Sequence, residues 1–126
     1  MMGHVTGLYA VMLAVLFLIL SLRVVVYRRG YKISLGDGND PVLQQRVRAQ
    51  GNFSEYAPFG LVLMLIAEAQ GTPPHWLHIC GILLVAGRVM HGVNFTFGLR
   101  QMALRVGGMV LTFLSLGLGA LMALPL

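Results

Sequence analysis

The sequence predicts an all-α fold, an integral membrane four-helix bundle. Three observations carry that expectation. Of 126 residues, 57% are hydrophobic and only 10% are charged, against about 25% charged in soluble domains. Apolar runs at residues 5–26, 53–69, 76–97 and 106–126 each approach the ~20 residues that span a bilayer. The basic residues gather at alternate ends of these runs. A soluble bundle is excluded because connectors this short leave no polar faces to cover the outside. The length suits one domain, residues 1–126, with helices expected at about 5–29, 41–70, 75–97 and 104–124.

The first helix is almost uniformly apolar until Ser21 and Arg23. It is not expected to be a cleavable signal peptide. It lacks a basic leader, its apolar core is too long, and no small-residue cleavage site follows. Tyr27 and Tyr31 near its end suit a membrane interface. The connector that follows contains Gly36-Asp37-Gly38-Asn39, strong turn chemistry. Asp37 and Asn39 have the spacing of a partial calcium loop, but no downstream glutamate completes it, so a turn and no metal is the expectation.

Asp40-Pro41 reads as a helix N-cap followed by the first helical position. The second helix should begin outside the bilayer and enter it near Asn52. Pro58 lies inside it and cannot bond to the carbonyl of Ser54, which predicts a kink. Glu68 near its far end is expected to be solvated at the outer interface. Thr72-Pro73-Pro74 makes a stiff turn. The third helix opens with Trp76 as an interfacial anchor. His75 and His78, with no third ligand nearby, do not make a metal site. The fourth helix holds Gly107, Gly108, Ser115, Gly117 and Gly119, whose small side chains serve either internal packing or contact between copies.

The net charge is +5. Arg23, Arg28, Arg29, Lys32, Arg46, Arg48, Arg100 and Arg105 flank the first and third connections, whereas the second connection and the termini carry no Lys or Arg. The positive-inside rule then places the first and third connections in the cytoplasm and both termini outside. Nucleic acid is not an expected partner, since the arginines abut membrane helices. An anionic small ligand or lipid headgroups suit them better. The lone cysteine, Cys80, sits in an apolar run and is expected to pack rather than react.

Chemistry concentrates at the start of the second helix. At about 100° per residue, Gln45, Arg48, Asn52, Glu55 and Tyr56 fall within an arc of roughly 100°. A polar stripe on a helix entering a membrane is by default a functional site. Arg88, His91 and Asn94 come to the same depth from the third helix, with Arg88, His91 and Phe95 on one face by i, i+3, i+7 spacing. Several arginines with one carboxylate make a pocket of net positive charge, and guanidinium forks hold carboxylates in bidentate fashion. Such a pocket suits a small acidic peptide. An arginine beside its thiol would favour the reactive thiolate, and the apolar helix faces would admit a lipophilic second substrate. The plainer alternative is that Arg48 or Arg88 simply pairs with Glu55 to lock the helices. His91 taken alone is a hydrogen-bonded packing residue.

The run Arg48-Ala49-Gln50-x-Asn52-x-x-Glu55-Tyr56-x-Pro58 resembles the signature of the MAPEG superfamily, the membrane-associated proteins in eicosanoid and glutathione metabolism. The Arg28-Arg29 pair, Arg88 and Arg105 extend the likeness over nearly the whole chain. The Ser34-Leu35-Gly36-Asp37-Gly38 loop and the Gly51 to Tyr56 segment are similar to the short bacterial branch. The resemblance implies a homotrimer in a bacterial inner membrane, with glutathione bound between protomers near the cytoplasmic helix ends. Arg48, Asn52, Glu55 and Tyr56 would bind it from one protomer, and Arg28 and Gln50 from the next. Arg105 would hold the thiolate, Arg29 would lie beside the electrophile, and Arg88 and His91 would belong to the binding site. His91 and Phe95 stand where the eukaryotic enzymes have tyrosines, so one hydrogen bond to the ligand is missing. The implied activity is conjugation of glutathione to lipophilic electrophiles or reduction of lipid hydroperoxides. The alternative is a non-enzymatic ligand-binding or structural membrane protein of the same fold. A small multidrug exporter also buries a lone glutamate, but arginines around Glu55 would repel lipophilic cations.

Overall fold

The computed structural model describes residues 2–125. Four helices follow one another: α1 (His4–Tyr31), α2 (Pro41–Ala69), α3 (Pro74–Thr96) and α4 (Met102–Ala123). No strand occurs among the described residues. α2 and α3 pack together as the central pair. α1 packs against both of them, and so does α4, but α1 and α4 do not touch. Large apolar side chains such as Val11, Leu18, Phe59, Ile82 and Phe113 are exposed around the bundle, as lipid-facing positions are.

α1, α3 and α4 are long and apolar enough to cross a membrane. α2 is equally long but falls short by composition, because Arg46, Arg48, Glu55 and Glu68 dilute it. Its length explains the difference. Its 29 residues rise about 44 Å at ~1.5 Å each, some 14 Å more than a ~30 Å hydrocarbon core. That excess is about nine residues, the length of its polar opening segment. The helix continues without interruption through Pro58.

The capping reading holds at the atomic level. Asp40 accepts from the amides of Val42 at 2.9 Å and Leu43 at 3.3 Å, with Pro41 at the first helical position. The Asp37 carboxylate accepts from the Asn39 amide at 2.9 Å, and Gly36, Gly38 and Asn39 take positive φ, so this segment is a turn. Tyr27 donates its hydroxyl to Asp40 at 2.7 Å. That hydrogen bond, together with those from the Leu43 and Val42 amides, holds the Asp40 carboxyl below its ordinary value although burial acts against it.

Small residues bring α3 and α4 together. A Cβ on Gly87 would lie 2.7 Å from the Gly108 carbonyl, and one on Gly108 would lie 2.8 Å from the Gly87 carbonyl. Ser115 donates to the Cys80 carbonyl at 2.8 Å, and the Cys80 thiol donates back to the Ser115 carbonyl at 3.3 Å. Gly108, Ser115 and Gly119 thus pack inside the chain. Gly117 has nothing within 4 Å of where its Cβ would be.

Glu68 corrects a sequence expectation. It is not simply solvated: its carboxylate accepts from the amides of Thr6 at 2.8 Å and Val5 at 3.1 Å. A residue from the end of α2 therefore satisfies the opening amides of α1, which has no side-chain cap of its own. Beside it the Tyr9 hydroxyl and His78 Nδ1 are 2.7 Å apart.

Candidate functional site

The residues singled out on α2 separate according to the neighbour each one meets. Arg48 and Glu55, seven positions apart, form the only ion pair among the described residues, 3.5 Å from Arg48 Nη1 to Glu55 Oε1. Both side chains are more than half exposed, at 57% and 53%. In that setting the pair contributes ~1 kcal/mol or less to stability. It is open to exchange partners with an incoming charged ligand.

Behind it lies Arg88, 1% exposed. Its Nη1 donates to the main-chain carbonyl of Asn52 at 3.2 Å and to the Asn52 side-chain oxygen. Its Nε donates to Thr112 Oγ1 at 3.1 Å, and its Nη2 reaches Met109 Sδ at 3.3 Å. The guanidinium also lies 5.5 Å from the centroid of the Tyr56 ring. Every one of these partners is neutral. Of the two pairings that the plainer alternative allowed for Glu55, the one with Arg48 forms, and the one with Arg88 does not, since no carboxylate oxygen lies within 4.0 Å of Arg88. Thr112 in turn donates to the Gly108 carbonyl at 2.8 Å, so Arg88 ties α2, α3 and α4 into one polar network.

One turn further along α3, His91 is buried and stacks on Phe95 with ring centroids 4.6 Å apart. The guanidinium of Arg105, at the start of α4, sits 5.7 Å from the Phe95 centroid. Arg105 itself is exposed. It lines a cavity of about 200 Å³ with Gln45, Asn94 and Phe95. Asn94 closes this end by accepting the Gln101 amide at 2.8 Å.

Within one chain, then, the singled-out residues make a set of three local groups on α2, α3 and α4: Arg48 with Glu55, Arg88 with Asn52 and Tyr56, and His91 and Arg105 both against Phe95. Gln50, Arg28 and Arg29 are not part of it. Gln50 turns to α1 and donates to Ser21 Oγ at 2.9 Å. Arg28 donates to the Gly36 carbonyl at 2.7 Å and the Ile33 carbonyl at 3.3 Å, bracing the first connection. It shares a surface groove with Arg48. Arg29 is exposed and borders a second groove with Val25, Lys32 and Ile33.

Sequence reasoning missed Thr112 and Met109 as partners of Arg88. The only available signal was a hydroxyl at Thr112, inside the apolar fourth run and one turn from Gly108. Among the described residues no cluster of three or more His, Cys, Asp or Glu could hold a metal ion.

The sequence model of the MAPEG family matches residues 6–125. Two curated relatives are similar: the inner membrane protein YecN of Escherichia coli strain K12 and YecN of Escherichia coli O6:H1 strain CFT073. Each is 45% identical over 91 residues, covering 72% of this chain and 70% of the relative.

Proposed function

This chain belongs to the MAPEG family, and from that premise we propose that it is a glutathione transferase-like enzyme of a bacterial inner membrane. It activates the glutathione thiol and transfers it to a lipophilic electrophile, or reduces a lipid hydroperoxide. One observation carries the reading: Arg88 keeps a full charge, 1% exposed, with only neutral hydrogen-bond partners. Glu55 acts on it only from beyond ion-pair distance, and a charge at membrane depth without a direct counter-ion costs several kcal/mol. An anionic ligand beside Tyr56 and Asn52 offsets that cost. Glutathione, with two carboxylates and one ammonium, matches several arginines and the single Glu55.

In this proposal the carboxylates displace Glu55 from Arg48, while Glu55 turns to the ammonium. Asn52 and Tyr56 orient the peptide, Arg88 supplies positive potential from behind, and His91 shapes the wall. Arg105 holds the sulfur as thiolate. Arg28, Arg29 and Gln50 reach this set from a neighbouring copy in a trimer, although Arg28 also shares a groove with Arg48 of its own chain. The first and third connections lie in the cytoplasm, where glutathione is available, and both termini lie outside.

Substitution of Arg105 by alanine tests the catalytic assignment. The variant is expected to fold, since Arg105 is exposed. It should lose about 100-fold or more in conjugation to an aromatic halide, as removal of one electrostatic stabiliser does. Full turnover in Arg105→Ala would remove that role. A second reading, a non-enzymatic binding or structural protein, is favoured by the mutual satisfaction of Arg88 and Asn52 inside the chain. It requires that no turnover accompany glutathione binding with any lipophilic electrophile.

A further inference from the structure

A second basic cleft opens where the end of α1, the start of α2 and the α3–α4 turn meet. Its volume is about 410 Å³, and its wall includes Arg23, Arg46 and Arg100 together with Gln45, Thr96 and Phe97. No acidic side chain lines it. Asp40 is near by sequence, but its carboxylate is committed to the Tyr27 hydroxyl and the Val42 and Leu43 amides.

Two of the three arginines, Arg23 and Arg46, are fixed rather than free. Arg23 donates Nε to Thr96 Oγ1 at 3.1 Å, and its guanidinium lies 4.5 Å from the Phe97 ring centroid. Arg46 donates to the Arg23 carbonyl at 3.1 Å and lies 4.8 Å from the Tyr27 ring centroid. Arg46 Nε is buried and has no hydrogen-bond partner. Arg100 stands in the turn with φ 56, a left-handed conformation that is uncommon for a residue with a side chain. Three cations on one cleft, two of them held by their neighbours, fit a group with several charged acceptor oxygens. Apolar Val42 and Phe97, both exposed, lie on the same wall and suit an attached chain.

We propose that this cleft is a phosphate site, taking the headgroup of an anionic phospholipid from the leaflet beside the two basic connections. Basic pockets between membrane helices bind such headgroups. Free phosphate offers the same oxygens without the apolar attachment. The cleft adjoins the cavity lined by Arg105, with which it shares Gln45, Gly98 and Arg100, but none of Arg48, Asn52, Glu55, Tyr56 or Arg88 lines it.

The test uses the full chain in phosphatidylcholine nanodiscs doped with phosphatidylglycerol, read by retention of lipid adducts in native mass spectrometry. Inorganic phosphate is titrated in a parallel series. Phosphatidylglycerol should be retained by the unaltered protein. Retention should fall about tenfold in Arg46→Gln and in Arg100→Gln, the worth of one charged hydrogen bond. Arg46→Lys, which keeps the charge, should recover part of the loss. Lys32→Gln, which removes a cation outside the cleft, should leave retention unchanged. Phosphate binding with the same dependence, in place of lipid, would keep the site and assign it a soluble occupant. An equal fall in Lys32→Gln would show non-specific attraction and overturn the proposal. So would retention that neither Arg46→Gln nor Arg100→Gln alters.

Discussion

Arg88 shows how much one buried side chain can determine. Its guanidinium spans three helices through Asn52, Thr112 and Met109, which a compact ammonium cannot do. Arg88→Lys keeps the charge but loses the fork, and should cost about 2 kcal/mol or more, seen as a lower thermal midpoint in detergent. Asp40 offers a contrasting case at the surface. Its carboxyl is held below its ordinary value mainly by the Tyr27 hydroxyl. Its stabilising effect is therefore full above the ordinary carboxylate value and is lost as pH falls through the lowered native one. Asp40→Asn should flatten that part of the acid stability profile, measured by thermal unfolding across pH. The cap at Asp40 was legible in the sequence because the two amides it accepts from are two and three residues away, whereas its bond from Tyr27, 13 positions away, was not. The neutral partners of Arg88 were not, because Thr112 lies 24 positions distant and no local pattern selects it.

At the level of elements, α3 and α4 make the most extensive contact in the bundle, with their backbones brought together at Gly87 and Gly108. Gly108→Ala would press a methyl into the Gly87 carbonyl and His91. Overpacking of this kind costs about 1–3 kcal/mol, and the shift should also disturb His91 stacked on Phe95. Gly117→Ala, with open space around it inside α4, should raise the thermal midpoint, since alanine favours a helix by about 0.5–1 kcal/mol over glycine, and the opposite signs of the two variants form an internal control. The run of small residues on α4 was visible in the sequence, but the choice between internal and external use was not. Spacing alone does not say which glycines meet a neighbour. α2 was similarly half legible: its cap and stripe follow from local chemistry, while the division between Gln50 facing α1 and Asn52 facing α3 depends on packing. The Glu68 contact was invisible, since it joins residues 62 positions apart.

Across the whole molecule, the exposed Lys and Arg residues are confined to one end and the arrangement is asymmetric. α1 and α4 never meet, so α2 and α3 carry the polar network while their outer partners present apolar faces to lipid. The end bearing Arg23, Arg46, Arg48, Arg100 and Arg105 is strongly cationic, and Glu55 is the only carboxylate in its ion pairs. That imbalance was legible in the sequence from the placement of the arginines, and the four-helix architecture follows from the apolar runs. The proposed division of labour places a peptide site among α2, α3 and α4 and a phosphate site where α1, α2 and the α3–α4 turn meet. The most direct measurement is equilibrium binding of glutathione to the purified protein in nanodiscs, compared with Glu55→Gln. The account predicts saturable binding to the unaltered protein and about tenfold weaker binding to Glu55→Gln, the loss of one charged contact. Absence of saturable binding, or binding that Glu55→Gln leaves unchanged, would contradict it.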